Sequence, residues 1–370
     1  MEFKIYKKDF EKNLDNVGYA INSTNFSILL RGIFLEVINE GVYFYGSDSE
    51  LTIKTFIDKN KLLELNKNGK VLINFLLLKN IVKKLQGELT IKLEGNFLVI
   101  YNNDDKFKLN VMDYSDYPAL DFTPVNGIKF KVNAKEIKKA IRNTIFATNS
   151  ESIEFVLSCL NLVAKNSKLT ISATDKYRIA RETINIDTNS EFDISIYAKK
   201  LKDFFPHDYD DDVEIKINEY KIETKIEDVL IQSKIAEFPY KDISKAFPKQ
   251  EDIKYKIEID KKELSNLINK ATAISSENSY KLEFKVNNEE FIISSYKDEM
   301  GSILVRTKNF SFLSENKEDT ELQFNLNYKF LKEAISVFED RLHIFVDSAI
   351  KRVLILSSSY KNNKQLIGTT

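Results

Sequence analysis

The feature that most constrains this chain is internal repetition, because a unit that recurs must fold the same way each time. A strand-like start passes directly into a helical period three times. Phe3-Lys4-Ile5-Tyr6 leads into Lys7–Tyr19, Ile128-Lys129-Phe130-Lys131-Val132 into Ala134–Phe146, and Tyr255-Lys256-Ile257-Glu258-Ile259 into Asp260–Ala273. Apolar residues switch at each junction from period 2 to period 3.6. The second half of each unit repeats as well. Val71-Leu72-Ile73-Asn74 precedes a predicted helix at Leu76–Leu85, Phe192–Ile196 one at Ala198–Phe205, and Leu322–Leu326 one at Tyr328–Phe338. A hairpin follows each of these, at Leu89–Leu93 with Val99 onward, Val213–Ile217 with Lys221 onward, and Leu342–Val346 with Val353 onward. Alternating strands joined by short turns imply antiparallel sheet with one face buried. The expectation is an α+β protein of three repeated domains, at 1–126, 127–249 and 250–370, each of ordinary domain size.

Composition narrows the class. A chain of 370 residues is too long for one ordinary core, and 43% hydrophobic with 30% charged residues is a globular balance. The single cysteine, Cys159, cannot form an internal disulfide and falls in a predicted strand, where it reads as a small buried hydrophobe. No apolar run reaches the roughly 18 residues that span a bilayer, and Met1–Tyr6 alternates like a strand rather than a signal segment. These features point to a cytoplasmic protein with no membrane partner. Net charge is −1, from 55 basic and 56 acidic residues. That excludes a surface basic all round and leaves room for one basic face balanced by acidic ones.

Such a face emerges on the helices. Phe10, Leu14 and Val17 turn inward while Lys8 and Lys12 turn out. Leu78, Ile81 and Leu85 form the next stripe, opposite Lys79, Lys83 and Lys84. Ile137, Ala140, Ile141 and Ile145 oppose Lys135, Lys139 and Arg142. The fourth helix presents Lys199, Lys200 and Lys202. Lys262 and Lys270 lie opposite Leu264, Leu267 and Ala271, and Lys329 and Lys332 flank the last helix. One basic helix face is ordinary solvated surface, but six in matching places would make a lysine-rich lining. Lysine is a hydrated point charge on a flexible stem, so such a lining holds phosphates without reading bases and weakens with salt.

Several segments resemble the bacterial β-type sliding clamps. Ile171-Ser172-Ala173-Thr174-Asp175-Lys176-Tyr177-Arg178-Ile179-Ala180 is similar to that family's Ala-Thr-Asp-Gly-His-Arg-Leu-Ala. Gly46-Ser47-Asp48-Ser49-Glu50-Leu51, Tyr117-Pro118 and Tyr240-Lys241-Asp242-Ile243-Ser244-Lys245-Ala246-Phe247-Pro248 extend the likeness along the chain. The resemblance implies a head-to-tail homodimer closing a ring, with sheets outside and helices lining the inside around double-stranded DNA. It implies no catalysis, no cofactor and no metal, and a nucleoid-associated life. It also implies a pocket where the replicative DNA polymerase, the clamp loader and repair proteins insert short apolar peptides. By motif that pocket takes in Leu157, Thr174, Lys176, Tyr177, Arg178, Ile179, Lys241, Lys245, Ala246, Asn325 and Tyr328, with Leu366 and Ile367 near the end of the chain. This sequence departs from the pattern in four respects. Lys176 and Tyr177 replace the glycine and histidine, and Lys241 stands where proline is usual. The closing Pro-x-Arg is missing, and so is an arginine near Thr24.

Enzymatic readings find little support. The chain has no phosphate loop, no Cys-x-x-Cys and no nucleophile elbow, and only two histidines, His207 and His343. The acidic run His207-Asp208-Tyr209-Asp210-Asp211-Asp212 could be imagined as the metal site of a nucleic-acid enzyme. Its place between a helix and a hairpin strand reads better as a solvated turn. A repeat scaffold that never meets DNA is the third alternative.

Overall fold

The computed structural model describes residues 1–205, 209–274, 280–298, 300–316 and 320–370. One succession of elements occurs three times, with one strand fewer in the second copy. The first runs β1 (Glu2–Tyr6), α1 (Lys7–Gly18), β2 (Gly32–Ile38), β3 (Gly41–Ser47), β4 (Leu51–Asp58), β5 (Glu64–Lys67), β6 (Gly69–Asn74), α2 (Phe75–Val82), β7 (Glu88–Glu94), β8 (Phe97–Asn102) and β9 (Asp105–Asn110). The second runs β10 (Ile128–Asn133), α3 (Ala134–Ile145), β11 (Cys159–Lys165), β12 (Lys168–Thr174), β13 (Arg178–Asn185), β14 (Phe192–Tyr197), α4 (Ala198–Lys202), β15 (Asp212–Ile217), β16 (Lys221–Ile226) and β17 (Val229–Lys234). The third runs β18 (Ile253–Asp260), α5 (Lys261–Ala271), β19 (Lys281–Asn287), β20 (Phe291–Lys297), β21 (Gly301–Thr307), β22 (Phe310–Ser314), β23 (Glu321–Asn327), α6 (Tyr328–Ser336), β24 (Arg341–Asp347), β25 (Arg352–Ser357) and β26 (Asn363–Gly368).

Local chemistry accounts for the junctions. The Asp260 carboxylate accepts from the Lys262 and Glu263 N–H groups, Asn74 from Leu77 and Asn327 from Lys329, so the last polar residue of a strand caps the helix that follows. Gly95 turns the β7–β8 hairpin at φ +56°, a left-handed conformation that glycine adopts without strain. Two second-half helices are shorter than their periodicity suggests. The α2 helix ends at Val82, leaving Ile81 half-buried and Leu85 in a following turn. The α4 helix stops at Lys202 because Asp203 and Phe204 bond back to Lys200 and Leu201 in tight i−3 turns.

Pairing is antiparallel throughout the described strands. The sheets run β5-β1-β7-β8-β9, β10-β15-β16-β17-β4-β3-β2-β6, β14-β11-β12-β13-β26-β25-β24-β18-β22 and β21-β20-β19-β23. By contacts the chain divides into two compact units rather than three. One holds 1–135, 186–188 and 199–237; the other holds 136–185, 189–198 and 238–370. The cut falls inside the middle repeat for a reason visible in the hydrogen bonds. Its strands β15–β17 continue through β17·β4 into the first repeat's sheet, and its strands β11–β14 continue through β13·β26 into the third's. In the second unit the core is Leu264, Leu267, Ile268 and Ala271 of α5 and Leu331, Ala334 and Ile335 of α6, against Ile257, Phe284, Phe291 and Ile355. In the first, Phe10, Leu14 and Val17 of α1 are fully buried, with Phe10 packed on Phe3 and Phe44. Each such side chain contributes on the order of 1.5–3 kcal/mol.

Candidate functional site

A second, smaller apolar cluster lies on the far side of the nine-stranded sheet. Register places Thr174, Ile179, Leu366, Leu354 and Phe345 directly opposite one another on β12, β13, β26, β25 and β24. Ile179, Leu354 and Leu366 form the buried base, and Phe345, Leu356, Ile243, Ala246 and Phe247 pack against it. The segment carrying Ile243–Phe247 is held down from the sheet: Arg352 donates to the Ala246 carbonyl at 3.2 Å, and the Arg181 guanidinium lies 4.6 Å from the Phe247 ring. The result is an apolar strip with a few polar groups at its edges, the general form of a peptide groove.

The loop beside it is built tightly. Asp175 accepts from the Tyr177 and Arg178 N–H groups at 3.0 and 3.1 Å, and Thr174 Oγ1 accepts from Lys176 N–H and donates to the Arg178 carbonyl. This turn forces Lys176 to φ +81°, in the left-handed region. Lys176 therefore carries backbone strain that a glycine there would not. Tyr177 is thrown outward, 70% exposed, while its carbonyl accepts from Gly368 N–H at 2.8 Å. Lys176 and Lys241 both reach Glu154, at 2.5 and 3.0 Å, and together hold its carboxyl below the ordinary range.

Strand alternation corrects two of the expected pocket residues. Arg178 and Ile367 face the other side of the sheet from Ile179 and Leu366. Ile367 is fully buried in the main core. Arg178 is buried between Asp175, Glu333 and the Phe146 carbonyl, with its guanidinium 4.3 Å from the Phe330 ring, so it is a structural anchor beneath the loop. Leu157 is buried in a short turn of helix at Phe155–Ser158 and Lys245 is exposed. Asn325 accepts through its carbonyl from Thr370 N–H, and Tyr328 opens α6 against Tyr280; neither is among the residues of the apolar cluster. Leu354, Phe345, Ile243 and Phe247 were missed. Their signal was available, since each alternates with a core residue or follows the Tyr240-Lys241-Asp242 segment.

The basic helix residues divide into exposed and engaged. Lys8, Lys83, Lys84, Lys135, Arg142, Lys199, Lys202, Lys262 and Lys270 are exposed. Lys12 is exposed but reaches Glu227 at 3.4 Å, and Lys139 and Lys329 lie over the Tyr360 and Tyr280 rings at 4.2 and 3.9 Å. Lys79 pairs with Asp15 at 2.7 Å, and half-buried Lys332 lies 3.4 Å from Thr272 Oγ1. Lys200 is the clear correction: it is half-buried in an ion pair with Asp48, and burial lowers its pKa. Its role is to tie α4 to the β3–β4 loop. No group of three or more metal-ligating side chains occurs among the described residues. His207 and Asp208 of the acidic run lie outside them, while Asp212 accepts from Asn133 at 3.1 Å. No described helix is long and apolar enough to cross a membrane.

This architecture has relatives. The profile of the DNA polymerase III beta subunit, N-terminal domain, matches residues 1–121, and that of the central domain matches residues 131–242. The beta sliding clamp of Mycoplasmopsis pulmonis is 29% identical over 375 residues, covering 99% of this chain and 98% of the relative. That of Bacillus subtilis is 26% identical over 381 residues, with coverage of 99% and 98%. Among solved structures, the DNA polymerase sliding clamp of Bacillus subtilis superposes with a TM-score of 0.91 at 24% identity, covering 100% of this chain and 99% of that one. The DNA polymerase III beta subunit of Thermotoga maritima superposes at 0.90 and 18%, with the same coverage. With two successive domain profiles matched and relatives aligned nearly end to end, the chain belongs to the DNA polymerase III beta subunit family, the beta sliding clamps.

Proposed function

We propose that this non-catalytic clamp works as a processivity factor in DNA replication by closing around duplex DNA as a head-to-tail homodimer of three-domain chains, with domains at 1–126, 127–249 and 250–370. The observation that carries this reading is a pair of unfilled sheet edges. Within the chain, the last strand of one repeat pairs with the fourth strand of another twice, as β17·β4 and β26·β13. The third joint of that kind would join β9 to β21, yet each ends its sheet. A heterologous joint between β9 of one copy and β21 of the next would complete the series, and two copies close it if the rotation per chain is half a turn. Bare edge strands otherwise invite aggregation, which supports their being covered.

The exposed lysines of the six helices would line the hole and hold phosphates weakly enough to slide. The apolar strip of Ile179, Leu354 and Leu366, with Tyr177 at its edge, would take the short peptides of the replicative polymerase, the clamp loader and repair proteins. Such a protein works in the cytoplasm, on the nucleoid. Topological retention tests the reading directly. The loaded protein should stay on nicked circular plasmid through gel filtration in high salt and be lost once the plasmid is linearised. Equal retention on both forms would mean binding without encirclement.

A further inference from the structure

The sheet face that carries the apolar strip continues past it into a basic row. Register sets Ser172, Arg181 and Lys364 opposite one another on β12, β13 and β26. They lie two residues along from Thr174, Ile179 and Leu366, hence on the same face and about 7 Å away. Three cations elsewhere around the strip are matched: Lys176 and Lys241 reach Glu154, and Arg352 reaches Asp347 at 2.8 Å. Arg181 and Lys364 form no ion pair among the described residues. They stand instead as like charges directly across from each other, an arrangement that costs stability until an anion joins it.

Arg181 is the half-buried member of the pair, and Lys364 is exposed. Arg181 Nε donates to Ser172 Oγ at 3.3 Å, and the guanidinium lies 4.6 Å from the Phe247 ring. Its terminal nitrogens, Nη1 and Nη2, have no acceptor among the described residues, yet neither is sealed from solvent, so both can be reached. Burial pushes the guanidinium pKa down, and the nearby Asp242 opposes this. Asp242 is itself turned away to Ser244, whose N–H and hydroxyl it accepts at 2.9 and 2.5 Å. Two open nitrogens on one planar fork suit the two oxygens of a carboxylate, and Lys364 adds a movable donor from the opposite strand. A cationic guest would be repelled here, and an apolar one would strip water from the nitrogens without replacing it. Nucleic acid offers phosphates but nothing apolar for the strip alongside, whereas an acidic peptide with apolar side chains meets both rows.

We infer that the strip selects partner peptides bearing an aspartate or glutamate two residues from an apolar anchor, with Arg181 and Lys364 as the residues that set this specificity. The anchor would rest on the strip at Leu354 and Leu366, and the carboxylate would bridge the two cations. Tyr177 stands two residues from Ile179 in the other direction, so the acidic end also fixes which way the peptide lies. This inference rests on the peptide role proposed for the strip and names the chemistry of the peptides it takes.

NMR titration of the intact protein with acetyl-Asp-Ala-Leu-Leu-Ala-Asp-amide and its Asn counterpart tests this, read at the Leu354 and Leu366 methyl groups and at Arg181 Nε–H. The Asp peptide offers a carboxylate two residues from a leucine in either direction. It should bind about tenfold more tightly than the Asn peptide at low salt, as one charge-assisted contact implies, and the gap should narrow as salt rises. Arg181→Gln should remove the preference. Lys364→Glu, an exposed change that gives Arg181 an anion from within the chain, should remove it too and leave the affinity for the Asn peptide unchanged. Equal binding of the two peptides, or a preference that survives both substitutions, overturns the acidic selectivity while the peptide role of the strip stands. If neither peptide moves the methyl groups, that role fails and the inference falls with it. Duplex DNA that shifts Arg181 Nε–H where the Asp peptide does not would make the row a phosphate contact and overturn the inference alone.

Discussion

Lys176 is held at φ +81° by the Thr174 and Asp175 hydrogen bonds around it, and a left-handed non-glycine residue is strained by about 1–3 kcal/mol. Its ion pair with Glu154 is solvent-exposed and screened, so it offsets little of that. Lys176→Gly should therefore raise the midpoint of urea unfolding, by roughly 1 kcal/mol in stability; a lowered midpoint would mean the Glu154 contact outweighs the strain. Asp347 is the opposite case, a residue whose charge holds structure. Burial alone would raise its carboxyl pKa, but the Arg352 guanidinium at 2.8 Å and the Arg352 and Lys351 N–H groups hold it below the ordinary range. A depressed folded pKa contributes stability that is present above the unfolded value, near about 4, and is lost as pH falls through the folded one. Asp347→Asn should cost about 2 kcal/mol at neutral pH and flatten the fall in stability below about pH 4, measured by denaturant unfolding across pH. A variant that keeps the wild-type acid slope would show that other carboxylates control it.

At the scale of elements, the sheet joints matter more than the helices. Backbone pairing at β17·β4 and β13·β26 carries two sheets across repeat boundaries and leaves β9 and β21 at edges. The β21 strand is unprotected for an edge strand: it runs for seven residues, and Leu304 on it is 54% exposed. Introducing a charge there, as Leu304→Asp, should weaken self-association at least about tenfold while leaving the fold intact. Sedimentation over a dilution series reads this directly, and an unchanged dimer would remove β21 from the interface.

At the scale of the molecule, 55 basic and 56 acidic residues nearly cancel, so any hold on DNA must come from their segregation. Lys135, Lys139 and Arg142 are all exposed on α3, while the apolar residues between them are buried. Reversing these three charges should lower retention on circular DNA and reduce the dependence of log affinity on log salt by about three, with dimer mass unchanged. Retention and salt slope equal to wild type would place that face away from the phosphates.

The order of elements, the antiparallel pairing and the helix faces were legible in the chain, because period 2 and period 3.6 are local properties that three copies reinforce. The Thr174–Ile179 loop was legible too, though by resemblance rather than by periodicity. Other features depended on which strand lies beside which. Adjacent Arg178 and Ile179, or Leu366 and Ile367, look alike as members of a motif, and only the sheet shows that one of each pair faces the groove and the other the core. Likewise Lys200 matches its lysine neighbours in sequence, but Asp48 is brought to it from 152 residues away. Local sequence sets where side chains can point; what they meet there is set by long-range pairing, which no window of the chain contains.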